Sequence, residues 1–190
     1  LPRKLQILIQ IPLAGRLLSH VIGPQGLYEW VIARTKYIDE IFAHASGEGF
    51  TQVLLFGDGF DSRGIRFQSE LKDARIFELD ARTTQTMKIE QYHKRRIEVP
   101  PNLIFVPINF EKESVAEKLG EAGFRQGEKT LVILEGVLQY LKPDAACATF
   151  DTIQHQTCQG SWLVFDYAHA SVLRGEANLY GEAGMMQRLE

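Results

Sequence analysis

The segment Gly57-Asp58-Gly59 forms a glycine-containing turn that carries a carboxylate and follows an apolar strand. Neither glycine has a Cβ, so the backbone can turn sharply and bring its N–H groups close to a bulky ligand. Asp58 and Asp61 would repel a pyrophosphate, but they would suit a ligand with a cationic amine or hydroxyl donors. The turn therefore predicts a small-ligand site, and the competing interpretation is an ordinary tight turn between a core strand and a helix.

The motifs for dinucleotides and triphosphates are incomplete at this turn. A dinucleotide fingerprint needs a third glycine three residues after the second, where this chain has Ser62. The sequence also has no Walker-type Gly-Lys-Ser/Thr for a triphosphate. S-adenosylmethionine offers an ammonium, a sulfonium and a ribose diol, which suit acidic groups. A nicotinamide dehydrogenase remains an alternative only if Gly57-Asp58-Gly59 is accepted as a loose match to the dinucleotide fingerprint.

The elements that position this turn follow from the hydrophobic pattern. A long amphipathic helix is predicted over Leu27–His44, and apolar runs then alternate with helical patterns. The predicted strands are Val53–Phe56, Ala74–Leu79, Leu103–Ile108, Thr130–Leu134 and Ser161–Phe165. The helices predicted after the first four strands cover residues 61–71, 81–96, 113–122 and 143–156. This alternation predicts an α/β fold, a Rossmann-like parallel sheet with helices on both faces.

Polar residues follow each predicted strand at its carboxyl end, which is where ligands bind in open parallel sheets. They are Asp58, Asp80, Asn109, Glu135 and Asp166. Asp80 lies about twenty residues past the glycine turn, where a carboxylate can accept hydrogen bonds from both ribose hydroxyls of a nucleoside. Any one of these residues alone is more typical of a solvated loop, but together on one rim they predict a binding site.

Composition and charge exclude several other functions. The formal net charge of -3 argues against a general binder of nucleic acids or anionic membranes. Cys147 and Cys158 make no disulfide framework, and no Cys or His pair has the spacing of a zinc site, so we expect no metal and a cytoplasmic location. The apolar N-terminal stretch is interrupted by polar residues, unlike a signal sequence, and no apolar run reaches membrane-spanning length.

Five segments together resemble the leucine carboxyl methyltransferase family of class I S-adenosylmethionine-dependent methyltransferases, including its bacterial branch that O-methylates polyketide-type small molecules. The segments are Ala33–Asp39, Gly57–Arg63, Phe77–Asp80, Phe105–Phe110 and Leu134–Leu141. The resemblance runs from about Leu27 to the end of the chain, and the joint set is specific. It implies a methyltransferase with S-adenosyl-L-methionine as its cofactor.

The resemblance also implies roles for individual residues. Arg34 would bind the carboxylate of the methionyl moiety through its planar fork, although a surface ion pair is the competing interpretation. Gly57 would line the methionyl side of the pocket, and Asp80 would hold the ribose. Asn109 and Phe110 would flank the adenine by hydrogen bonding and stacking.

Glu135 would face the cofactor near its reactive end and would contact it through the ammonium.

Two residues depart from the family pattern. Asn109 replaces the usual Asp, which keeps an acceptor for the adenine amine but removes a charge. Glu111 stands where the branch that methylates a phosphatase C-terminus is expected to have Arg, and it would repel a substrate carboxylate. The resemblance therefore implies the small-molecule branch.

Methyl transfer from a sulfonium requires an aligned acceptor oxygen and exclusion of water more than strong base catalysis. A phenolic acceptor would benefit from a general base, and Tyr140, Asp166 and His169 are candidates by position alone. A surface or capping histidine is the competing interpretation of His169. The predicted function is an O-methyltransferase acting on a hydroxyl or carboxyl group of a polyketide-like small molecule. The alternative is a non-catalytic or truncated relative that binds S-adenosylmethionine or S-adenosylhomocysteine without turnover.

The sequence predicts three parts: an N-terminal helical cap at 1–48, a cofactor-binding α/β core at 49–169, and the start of a lid or acceptor-site segment at 170–190. The chain begins with Leu1 instead of Met, and family members continue past the fifth strand into an antiparallel hairpin. We therefore expect a fragment, or a chain that has lost this part. The edge strand left exposed would favour a homodimer or instability.

Overall fold

A computed structural model describes residues 26–45, 47–174 and 176 of the chain. The helices are α1 Leu27–Ala45, α2 Arg63–Arg66, α3 Arg82–Arg95, α4 Val115–Glu121, α5 Pro143–Gln156 and α6 Ala170–Leu173. The strands are β1 Gln52–Phe56, β2 Arg75–Asp80, β3 Leu103–Pro107, β4 Thr130–Leu134 and β5 Trp162–Phe165, and a 3₁₀ turn covers Leu138–Tyr140. The alternation of strands and helices is confirmed, with most ends shifted by one or two residues.

The strands form one parallel sheet in the order β3-β2-β1-β4-β5. Phe56 at the end of β1 is in register with Leu79 of β2 and Leu134 of β4, so the carboxyl ends of the three central strands lie level. The strand order switches direction at β1, which is where open parallel sheets bind ligands. The predicted Rossmann-like sheet is confirmed.

The central strands are buried on both faces. Every residue of β1 and β4 is buried, which explains why their sequences show no polar alternation. Gln52 is the polar exception in β1, and its amide exchanges two hydrogen bonds of 2.7 and 2.9 Å with the backbone of Arg125. Because both polar ends of this side chain are satisfied, Gln52 can begin a core strand without leaving a buried polar group unpaired.

The helix predicted over residues 61–71 is shorter in the structure, where α2 ends at Arg66. The chain then continues as turns, in which the backbone N–H of Gln68 bonds to the carbonyl of Ile65 three residues back. Ser62 is the N-cap residue of α2 and makes no side-chain cap hydrogen bond, while Oδ1 of Asp61 accepts a 2.9 Å hydrogen bond from the backbone N–H of Arg63. Gly64 lowers the helix propensity of a segment that is already short.

β5 lies at one edge of the sheet, and its side chains are poorly covered by the described residues. Trp162, Leu163 and Phe165 are all exposed, as the predicted open edge requires. The homodimer expected from such an edge stays a prediction.

The chain divides into two compact units, one of Leu1–Ile38 with Ala168–Glu190 and one of Asp39–Tyr167. The whole sheet lies in the second unit. Two parts of the first unit lie outside the described residues. They are residues 1–25 of the predicted cap and the predicted lid at 170–190, of which only α6, Arg174 and Glu176 are described. No helix in the described ranges is long and apolar enough to cross a membrane.

Candidate functional site

The glycine turn after β1 is hydrogen-bonded to the end of β2. Gly57 and Gly59 both adopt positive φ, 57° and 54°, which a glycine reaches without strain. The carboxylate of Asp80 accepts a 2.6 Å hydrogen bond from the N–H of Gly59 and a 2.5 Å hydrogen bond from the N–H of Ala81. A Cβ on Gly57 would lie only 2.7 Å from the side chain of Val137. Two predicted site residues, Gly57 and Asp80, therefore lie together at the carboxyl edge.

A cleft of about 460 Å³ opens at the ends of β2 and β3. It is lined by residues 81–83 and 107–111 and by Glu113, so it contains the predicted adenine residues Asn109 and Phe110. The ring of Phe110 also stacks on Phe56, with 6.1 Å between centroids, which ties one wall of the cleft to the core.

Two of the hydrogen bonds that Asn109 makes within its own turn involve a side chain. Its Oδ1 accepts from the N–H of Glu111 at 3.0 Å, and its own N–H donates to the carboxylate of Glu113 at 2.7 Å. The hydrogen bond from Asn109 holds the pKa of Glu113 below its usual value. The amide oxygen has a second lone pair, so it can still accept from an exocyclic amine. The adenine role of Asn109 remains a prediction.

Arg63 connects three elements around the turn, and its side chain is only 4% exposed. Its guanidinium lies 2.7 Å from the carboxylate of Asp39 in α1, 2.6 Å from Asp61, and 2.6 Å from Glu135 after β4. Burial disfavours its charge, but these carboxylates more than compensate and raise the pKa of Arg63. The predicted ligand residue Glu135 is thereby fixed to the glycine-turn segment.

Asp58 does not face the ligand side of the turn as its sequence position suggested. Its carboxylate is 1% exposed and is paired with the ammonium of Lys88, which also lies 2.8 Å from the carboxylate of Glu78. Asp61 is likewise bound to Arg63. The expectation that Asp58 serves a cationic ligand directly is therefore wrong, because its buried carboxylate pairs with Lys88. The same expectation for Asp61 stays a prediction, since its side chain is 17% exposed beside Arg63.

The remaining predicted residues are spread over other parts of the chain. Tyr140 lies on the 3₁₀ turn after β4 and is 74% exposed. Asp166 accepts a 2.8 Å hydrogen bond from the N–H of Gly136, which orders the turn after β4. Arg34 and His169 belong to the other compact unit, where the guanidinium of Arg34 lies 4.3 Å from the ring centroid of Trp30. The catalytic roles of Tyr140 and His169 and the binding role of Arg34 stay predictions.

Sequence reasoning missed the two buried cations, Arg63 and Lys88. Lys88 lies on the buried face of α3 together with Gln85 and Tyr92. Because this helix has few apolar residues, its sequence pattern does not reveal which face is buried. One signal was present: Glu78 interrupts the apolar strand Ile76–Leu79, and a carboxylate buried there needs a cationic partner. Among the residues that the structure describes, no cluster of three or more His, Cys, Asp or Glu is suited to a metal ion.

A family model described as leucine carboxyl methyltransferase matches residues 17–154. YktD from Bacillus subtilis (strain 168), named as an inferred S-adenosyl-L-methionine-dependent methyltransferase, is 26% identical over 166 residues, which are 82% of this chain and 54% of its own length. A Mycobacteroides abscessus protein with the same description is 32% identical over 133 residues, 70% of this chain and 41% of its own. The chain thus spans about half the length of the curated relatives it matches.

Solved structures agree with the observed fold. An inferred methyltransferase from Thermobifida fusca superimposes with a TM-score of 0.58 at 21% identity, covering 80% of this chain and 59% of the other. A DUF574 family protein from Streptomyces avermitilis gives a TM-score of 0.60 at 14% identity, covering 83% and 60%. Since the family model also accounts for well over half of the 190 residues, this chain belongs to the leucine carboxyl methyltransferase family.

Proposed function

We propose that this chain binds S-adenosyl-L-methionine at the carboxyl edge of its sheet and transfers the methyl group to an oxygen atom of a small molecule. The observation that carries this proposal is the position of Asp80, whose carboxylate is hydrogen-bonded to the glycine turn and whose neighbour Ala81 lines the 460 Å³ cleft. Membership of the family and the names of the relatives support the choice of cofactor.

The hydrogen bonds of Asp80 support its proposed role as the ribose acceptor. Each of its oxygens accepts one backbone hydrogen bond, and a carboxylate oxygen can accept a second. The ribose hydroxyls would donate to the remaining lone pairs, while the adenine would occupy the cleft between Asn109 and Phe110. Gly57 would line the methionyl side of the pocket, and its missing Cβ also leaves room for Val137, whose side chain would lie 2.7 Å from such an atom.

Glu135 and Arg34 would bind the two charged groups of the methionyl moiety. Arg63 holds the carboxylate of Glu135 through a 2.6 Å ion pair, and this pairing would orient the side chain toward the ligand ammonium. The guanidinium of Arg34 would pair with the methionyl carboxylate in a two-point contact. Adenosine lacks both charged groups, so it should bind more weakly than the whole cofactor.

The transfer itself is an in-line displacement. The bond between the sulfonium sulfur and its methyl carbon breaks as the bond from the acceptor oxygen to that carbon forms, and the sulfonium becomes a neutral thioether. A carboxylate acceptor enters already ionised, whereas a hydroxyl must give up its proton, for which Tyr140 and His169 are the proposed bases. The protein contributes mainly alignment and exclusion of water.

The proposed acceptor is a polyketide-like small molecule with a hydroxyl or carboxyl group. Glu111 is exposed in the lining of the cleft, where its charge would repel the carboxylate of a peptide C-terminus. The free thiols of Cys147 and Cys158 suit a reducing compartment, which supports a cytoplasmic location.

Ligand binding tests the proposal first. S-adenosylhomocysteine should raise the melting temperature of the chain and NAD should leave it unchanged, because binding to the folded state alone stabilises it. A shift with NAD alone would contradict the assignment. In wild type, S-adenosylhomocysteine should bind more tightly than adenosine, and Arg34→Ala should reduce this difference; equal affinities in wild type would exclude the role of Arg34.

Turnover then separates the enzyme from a binding protein. Transfer of labelled methyl groups from the cofactor to extracted small molecules is expected. The alternative is that the chain binds cofactor or product without turnover. Binding without transfer to any acceptor fraction would select that alternative.

A further inference from the structure

A buried cluster of three charged side chains lies directly beneath the glycine turn. The ammonium of Lys88 in α3 contacts the carboxylates of both Asp58 in the turn and Glu78 in β2. The side chains are 2%, 1% and 0% exposed, respectively. The cofactor contacts proposed above do not involve these side chains, so their burial needs another explanation.

The cluster holds two carboxyl groups and one cation. Asp58 Oδ1 and Glu78 Oε1 are buried and have no other hydrogen-bond donor among the described residues. A proton carried by Asp58 and shared with Glu78 satisfies both atoms and leaves one negative and one positive charge. Burial, reinforced by the charge of Glu78, raises the pKa of Asp58 to about 9. Burial likewise raises the pKa of Glu78, against the opposing effect of Lys88.

Other ionisable groups face the cluster from two sides. The hydroxyl of Tyr92, also on α3, donates a 3.4 Å hydrogen bond to the carbonyl of Asp61, and burial raises its pKa. Asp61 adds negative charge near Glu78 from the segment before α2. Lys88 keeps its proton, because Glu78 and Asp58 raise its pKa despite the cost of burial. Above neutral pH, Asp58 therefore loses its proton while Lys88 stays charged.

Asp58 is the middle residue of the turn, so holding its side chain in place restricts the backbone of the residues on both sides. The carbonyl of Asp58 accepts a 2.7 Å hydrogen bond from the N–H of Asp61, and the next residue, Gly59, donates to Asp80. Both flanking glycines have wide conformational freedom, since neither carries a side chain. Without an internal tether, such a turn would populate several conformations.

We infer that Lys88 is a positioning residue for cofactor binding: by pairing with Asp58 and Glu78 it fixes the glycine turn to β2 in the conformation that meets Asp80. This inference rests on the proposed function, because it concerns the same site. A buried ion pair adds little net stability compared with apolar side chains of similar size. The contribution of Lys88 is therefore to the geometry of the turn.

The first test compares Lys88→Met with Lys94→Met, a matched change on the same helix at a side chain that is 66% exposed. Calorimetric titration with S-adenosylhomocysteine at pH 7 should give about tenfold weaker binding for Lys88→Met, the equivalent of one buried interaction. Lys94→Met should bind as wild type does. A folded Lys88→Met with wild-type affinity would overturn the inference.

Hydrogen exchange separates this inference from the proposed function, because it needs no ligand. In the ligand-free chain, the amides of residues 57–59 should exchange faster in Lys88→Met than in Lys94→Met, while those of β4 should not change. If wild type fails to bind S-adenosylhomocysteine, the proposed function fails but this comparison still decides the role of Lys88. Unchanged exchange at the turn would refute it.

Asp58→Asn provides a test that survives if Lys88→Met does not fold. The amide can donate to Glu78 as the protonated carboxyl does, but it cannot ionise. Between pH 8 and 10, the affinity of wild type relative to Asp58→Asn should fall by about tenfold as Asp58 loses its proton beside Glu78. The ammonium of the ligand titrates in the same way with both proteins, so its effect on affinity cancels in the ratio. A ratio that is constant with pH would contradict the shared proton.

Discussion

Replacing Arg63 with Met should destabilise the chain more than any exposed charge substitution. The change removes the cation that neutralises Asp61 and Glu135, whose side chains are only 17% and 16% exposed. Breaking a buried ion pair from one side costs about 3–5 kcal/mol. We expect the lower end, about 3 kcal/mol, since both carboxylates reach some solvent and Asp39 keeps its second partner, Arg66. For a chain of this length this corresponds to a fall in Tm of about 6–12 °C.

Urea denaturation followed by circular dichroism would measure this loss. The matched control is Arg66→Met, because the side chain of Arg66 is 44% exposed and the ion pair of such a group contributes less than about 1 kcal/mol. Calorimetric titration should also show weaker binding of S-adenosylhomocysteine to Arg63→Met, as Glu135 loses its 2.6 Å partner. Equal free energies of unfolding for the two variants would refute the assignment of Arg63 as the centre of this network.

Three further predictions address the turn and the sheet beneath it. Asp80→Ala should weaken cofactor binding by about 1–3 kcal/mol in calorimetric titration, and an unchanged Kd would reject its role. Gly64→Ala should destabilise the fold by about 1–3 kcal/mol, because its Cβ would lie 2.8 Å from Glu78 Oε1. By contrast, the Cβ of Gly120→Ala in α4 meets nothing within 4 Å, so this change should stabilise the fold by about 0.5–1 kcal/mol. The free energy of unfolding should fall from pH 7 to 9 by up to about 1.4 kcal/mol per pH unit, since the folded state keeps a proton on Asp58 that the unfolded chain has already lost. A slope that Asp58→Asn does not flatten would disprove that last expectation.

The sheet could be predicted from sequence because its strands are buried on both faces. The strand Thr130–Leu134 is apolar at every position after Thr130, so its pattern is easily read, and its ends match the prediction. Helix α2 could not be predicted in this way, because its end depends on tertiary packing around Gly64 and not on periodicity. Short helices carry too few residues for a hydrophobic pattern to fix their bounds.

The rim residues could be predicted because parallel strands place their carboxyl ends at one edge. Asp80 and the glycines lie together as this rule requires. The direction of each side chain could not be predicted, since sequence position does not reveal which carboxylate has a buried cation as partner. Asp58 pairs with a lysine that is thirty residues away in the sequence, and only the packing of α3 against the sheet brings them together.

The two hydrogen bonds that Asp80 accepts from Gly59 and Ala81 have a consequence for how fast a ligand can bind. Because two backbone N–H groups already hold the carboxylate in place, it does not have to be reoriented before the proposed ligand arrives. The entropy of ordering this loop is lost when the chain folds, so little of it is left to lose on association. Such a pre-organised receptor should admit its ligand with small backbone displacement, and differences in affinity among variants should arise mainly from how quickly the ligand leaves.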